Sequence, residues 1–85
     1  MRLTESVRLQ LLAQNEGFEA MTQYDGKNIS NTRRYRIEDG QLRIRETGKT
    51  SWADSRYDNE YVADDDQTRR FLRNHLYELN TAGLE

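Results

Sequence analysis

Cysteine is absent from the 85 residues. That excludes a disulfide framework and any thiolate metal site. No apolar run approaches the roughly 18 residues of a membrane-spanning helix. The opening MRLTESVRLQ lacks the apolar core of a signal peptide. Cytoplasmic residence and no membrane partner are therefore expected. Asn28-Ile29-Ser30 fits a glycosylation sequon, which carries no meaning without secretion. Apolar residues are also scarce, at 34% against 33% charged. Leu, Ile, Val and Phe together number 16 of 85. That lies just under the roughly 20% below which disorder becomes a concern, but the high net charge of disordered chains is missing, at −2. A chain of this length buries only about 60% of its unfolded surface. Five tyrosines and Trp52 must supply part of the core. A small core is often helped by self-association, so a homodimer is weighed equally with a monomer.

One domain over residues 1–83 is expected, with Leu84-Glu85 set aside as a cloning-derived pair. Thr4 can cap a first helix, with Glu5 complementing its positive end. Leu3, Val7, Leu11 and Leu12 fall on one stripe, and Asn15 to Gly17 ends the helix. Leu9 lies off the stripe, where a dimer contact would give it a use. Phe18, Ala20, Thr22 and Tyr24 alternate as in a strand, and Asp25-Gly26 is a turn signal. The segment KNISNT either begins the next strand or forms a loop.

The strongest local pattern is RRYRIEDGQLRIRE, residues 33–46. Asp39-Gly40 suits a two-residue type I′ turn, because both positions need φ > 0. The register follows: Glu38 opposite Gln41, Ile37 opposite Leu42, Tyr35 opposite Ile44. Arg36 then meets Arg43, and Arg34 meets Arg45, on the other face. Turn chemistry and apolar pattern agree on this register. Gly48-Lys49 reads as a second two-residue turn. It would pair Arg45 with Trp52, Arg43 with Asp54 and Ile44 with Ala53. In that phase Tyr57 and Tyr61 land on the core face, and Arg56, Asp58 and Glu60 on the polar face. Asp64 with Gln67 resembles a capping box, opening a last helix whose stripe is Phe71, Leu72, His75, Leu76 and Leu79. Asp65–Arg69 and Asp66–Arg70 are spaced as i,i+4 pairs, and Asn80 and Gly83 mark the end. The expected fold is α+β: a three- or four-stranded antiparallel meander, α-β-β-β(-β)-α, with both helices on one face.

The candidate binding face is the wet side of this sheet, carrying Arg34, Arg36, Arg43, Arg45, Trp52 and Arg56. Guanidinium groups grip phosphate in bidentate fashion and read guanine edges, and a Trp among them can stack on a base. This layout, over about residues 33–80, is similar to that of the integrase-arm domains. Those place Arg and Trp of a three-stranded sheet on DNA, although no motif is shared. Against nucleic acid stands the charge balance. Residues 33–46 carry a net charge of only +2, and Asp54, Asp58, Glu60, Glu38 and Glu46 are near enough to interleave with the arginines. Asp64-Asp65-Asp66 is explained by capping rather than a cation, since three consecutive aspartates diverge. His75 lacks a partner for base catalysis and reads as a boundary residue. Gly48-Lys49-Thr50 repeats the end of a phosphate-binding loop, but Arg43 stands where the first glycine is required. No catalytic, cofactor, metal or small-molecule site is expected. The sequence favours a non-enzymatic protein-interaction module that self-associates, with a nucleic-acid-binding domain as the alternative.

Overall fold

The computed structural model describes residues 2–27, 29–50 and 56–84. The elements run α1 (Glu5–Gln14), β1 (Glu19–Asp25), β2 (Ile29–Glu38), β3 (Gln41–Thr50), β4 (Arg56–Val62) and α2 (Asp65–Asn74). The strands form one antiparallel sheet in the order β1-β2-β3-β4. The chain thus has the expected α+β meander, with four strands rather than three.

The central hairpin takes the register its turn dictates. Asp39 and Gly40 have φ of 56° and 72°, the left-handed pair that a type I′ turn requires. Ile37 faces Leu42 and Tyr35 faces Ile44. Their helix-side face buries Ile37, Leu42 and Ile44 against Leu3, Leu11, Leu12, Phe71, Leu72 and Leu79. Both helices therefore cover one side of the sheet. Phe71 stacks on Tyr35 at 4.9 Å between ring centroids and meets Phe18 edge-on at 6.0 Å. The tyrosine and phenylalanine rings supply the volume that a leucine-poor chain lacks.

Thr4 caps α1, accepting from the Val7 N–H. Asp64 and Gln67 form the full reciprocal capping box of α2. Two polar contacts then lock the helices to their surroundings. Glu16, just past α1, accepts from the Asp39 N–H at 2.8 Å and so holds the hairpin turn. The Asn15 amide donates to the Leu11 and Asn80 carbonyls, and its oxygen accepts from the Asn80 N–H at 2.8 Å. This joins the end of α1 to the C-terminal segment. Leu84 packs against the margin of the core.

Three expectations need correction. The first concerns Gly48-Lys49, which is not a turn. β3 continues through both residues, and Gly48 lies opposite Tyr57. The Tyr57 ring comes within 2.6 Å of where a Cβ on residue 48 would stand. An aromatic ring laid over a strand glycine replaces the side-chain packing that glycine cannot make. Arg45 consequently faces Glu60 rather than Trp52, Arg43 faces Val62 rather than Asp54, and Ile44 faces Tyr61 rather than Ala53. Trp52, Ala53 and Asp54 lie outside the described residues.

The second correction is to α2, which stops at Asn74 instead of running toward Asn80. His75 Nδ1 lies 2.8 Å from the Phe71 carbonyl, the acceptor that its own N–H would use in a continued α-helix. The His75 N–H turns to the Leu72 carbonyl instead, at 3.2 Å. Third, neither expected i,i+4 pair forms. Asp65 approaches Arg8 of α1 at 3.6 Å, because the two helices pack together, and Asp66 takes Arg69 at 3.6 Å.

The sheet is longer than its cover. β2 and β3 each span ten residues, and the molecule measures 50 × 21 × 20 Å. Beyond the helices, Tyr24, Ile29 and Tyr57 stay exposed on the helix-side face, and Met21 is exposed on the opposite one.

Candidate binding face

Arg36 stands opposite Arg43, and Arg34 opposite Arg45. Side chains alternate along a strand, so the four guanidinium groups share the face away from the helices. Like charges directly opposite cost stability, and the ladder reduces that cost. The Asp39-Gly40 turn makes Glu38 and Gln41 a hydrogen-bonded pair, and every second pair after it is of the same kind. Both arginine pairs fall on such positions, where Cα atoms are about 5.5 Å apart rather than about 4.5 Å. The side chains then splay toward acids. Arg45 grips Asp58 through Nε at 3.0 Å and Nη2 at 2.7 Å. Arg36 reaches Glu19 at 3.6 Å and Glu38 at 4.0 Å, and Arg43 shares Glu38 at 3.9 Å. Arg34 has no carboxylate within 4.0 Å among the described residues.

Arg56 belongs to the same face, opposite Lys49. Lys49 joins the face because β3 continues through it instead of turning. Among the described residues the face thus carries six cations, adding Lys49 and Arg56 to the four arginines. It also carries five carboxylates, those of Glu19, Asp25, Glu38, Asp58 and Glu60. An open depression of about 580 Å³ lies upon it, lined by Met21, Arg34, Arg36, Arg43, Arg45 and Glu60 among others. The acids of this face lie around the arginine pairs rather than between them.

The hydrogen bonds to Arg45 hold the Asp58 carboxyl below the ordinary carboxylate range, and those to Asp58 raise the Arg45 guanidinium. On the opposite face, Glu46 does not interleave with the four arginines as expected. Its side chain points to the helix side, because residue 46 has the parity of Leu42 and Ile44. There it binds Arg33 at 2.9 Å and accepts from the Tyr61 hydroxyl at 2.9 Å. Burial first, and the Glu46 bond second, push the Tyr61 hydroxyl above its usual pKa. Tyr35 first, and Glu46 after it, raise the Arg33 guanidinium above its ordinary pKa. The Arg33–Glu46 part of this trio follows from the hairpin register, in which residue 33 falls opposite 46.

The other candidates have structural partners. His75 packs against Phe71 at 4.2 Å and Phe18 at 6.0 Å, with its Nδ1 proton on the Phe71 carbonyl. Asp64 is occupied as a cap. Among the described residues, no three histidine, aspartate or glutamate side chains converge as a metal site, and no helix is long and apolar enough to cross a membrane. No protein-family model, curated protein or solved structure matches the chain.

Proposed function

We propose that this chain is a small non-enzymatic protein-interaction module that binds through its sheet and self-associates. One observation carries the reading: the sheet outruns its helices and leaves Tyr24, Ile29 and Tyr57 exposed at one end of a 50 Å molecule, with Met21 exposed on the opposite face. A chain this poor in apolar residues gains little from leaving four large ones in water unless a partner covers them. The near balance of charge on the arginine face favours a protein surface over a phosphate backbone, which rewards a clear basic excess. The cytoplasmic placement expected from the sequence goes with this reading. Sedimentation velocity between about 5 and 500 µM tests it. A sedimentation coefficient rising from monomer toward dimer supports self-association, and a monomer across the whole range contradicts it.

A second reading has its own observation. Arg34 has no acidic partner among the described residues, and Lys49 and Arg56 lie opposite one another on the same face. A nucleic acid strand would find cations there without a carboxylate partner among the described residues, and the sequence adds Trp52 to the same candidate face.

A further inference from the structure

We infer that β1 is the self-association edge, and that two copies pair β1 against β1 in antiparallel fashion about Met21, making one eight-stranded sheet. The inference rests on the self-association proposed above and names its interface.

Backbone groups on one side of β1 are unspent. The Ile37 N–H donates to the Phe18 carbonyl, and the Gly26 N–H to the Ile29 carbonyl. In an antiparallel ladder the bonded pairs recur at every second residue. Phe18, Ala20, Thr22, Tyr24 and Gly26 therefore spend their groups on β2. Glu19, Met21, Gln23 and Asp25 point theirs out to the open edge. A row of unpaired donors and acceptors is a template for another strand.

The sheet has two such edges, and sequence separates them. β4 offers outward positions at Arg56, Asp58, Glu60 and Val62. Self-pairing centred on Asp58, Asn59 or Glu60 would set a carboxylate opposite another carboxylate. β1 has no charge from Ala20 to Tyr24, contains no proline, and exposes Met21 (56%) and Tyr24 (61%).

Charge also selects the register. Centring on Thr22 would put Glu19 opposite Asp25 of the second copy, a repulsive pair. Centring on Met21 puts Glu19 opposite Gln23 of the second copy and Met21 opposite its own counterpart. All these positions carry outward groups, so about six backbone hydrogen bonds close. The same register sets Phe18 against Tyr24 of the second copy, on the helix-side face. It thereby covers Tyr24, which the helices leave open, and Met21 on the opposite face.

Charge exchange at position 21 tests this register. Met21→Lys and Met21→Glu are surface changes, and circular dichroism verifies that each variant folds. Each variant alone sets like charges across the two-fold axis and weakens dimerisation about tenfold. An equimolar mixture of the two variants restores a dimer in sedimentation velocity. In the unsubstituted chain, amide exchange at Glu19, Met21 and Gln23 slows as concentration rises, while Ala20, Thr22 and Tyr24 are protected throughout. If the single variants dimerise as well as the unsubstituted chain, self-association stands and this edge is wrong. A mixture that stays monomeric overturns the register. An unsubstituted chain that stays monomeric overturns both the inference and the self-association beneath it.

Discussion

Arg45 reaches past Glu60, its direct neighbour across the ladder, and closes a two-pronged bond on Asp58, with Nε–Oδ1 at 3.0 Å and Nη2–Oδ2 at 2.7 Å. The diagonal reach gives a parallel fork to a planar carboxylate. It also withdraws one of the four central arginines from any external anion. Because the Asp58 pKa is lower in the folded chain than in the unfolded one, its contribution to stability is present above the unfolded value of about 3.9 and is lost as pH falls through the folded value. A carboxyl-carbon NMR titration should find the Asp58 midpoint below that of an unpaired aspartate. In Arg45→Gln the midpoint should return to the ordinary range. An unchanged midpoint in that variant would show that the bond does not hold Asp58.

Tyr57 covers Gly48, so the aromatic ring should shield the glycine α-protons. The Gly48 α-protons should resonate upfield of random-coil positions and move back in Tyr57→Leu. If Tyr57→Leu leaves those shifts where they were, the ring does not lie over the glycine.

Asn15 is a buried side chain with three hydrogen bonds, two of them to the Asn80 backbone. Asn15→Ala removes them all and leaves the Leu11 carbonyl without its second donor. The expected loss is about 1–3 kcal/mol in urea unfolding. Asn80→Ala keeps the backbone groups that Asn15 uses, and its cost should be much smaller. Equal losses from the two changes would mean that the backbone bridge contributes little.

The Tyr61 hydroxyl donates to Glu46, which also holds Arg33. Tyr61→Phe should cost about 0.5–1.5 kcal/mol with the fold unchanged. Since the folded hydroxyl titrates above its unfolded value near 10, its contribution is whole below that value and fades as pH rises through the folded one. The stability difference between Tyr61→Phe and the unsubstituted chain should therefore shrink at alkaline pH. A difference that stays constant up to the alkaline unfolding limit would rule out this linkage.

The architecture was legible wherever local chemistry and apolar pattern gave the same answer. Asp39-Gly40 carried the hairpin register, Thr4 and Asp64 placed both helix starts, and Ile37, Leu42 and Ile44 fell where the core needed them. The second turn was misread because glycine is usually a breaker. What keeps Gly48 in a strand is Tyr57, nine residues on, and a long-range ring cover leaves no local signal. The early end of α2 had a similar origin, in a histidine ring that competes for a helix carbonyl. Of the candidate face, the four paired arginines came directly from the hairpin's parity, whereas Arg56 was placed through the Gly48-Lys49 turn that does not form, and shares the face through its pairing with Lys49. Their acidic partners were only partly readable. Asp58 lies diagonal to Arg45, and its placement required the true β3–β4 register. Glu46 was expected among the arginines, although its parity with Leu42 and Ile44 puts it on the helix side.

The central claim is that the arginine face is largely neutralised from within and that the sheet serves protein contacts. A ¹⁵N–¹H NMR titration with mixed-sequence duplex DNA and with single-stranded RNA tests it most directly, at about 20 mM salt and again at about 300 mM, because phosphate contacts weaken steeply with salt. The account predicts that the amides of Arg34, Arg36, Arg43, Arg45 and Arg56 stay in place with either nucleic acid. Shifts confined to those residues at low salt and abolished at high salt would contradict it and establish the nucleic-acid reading.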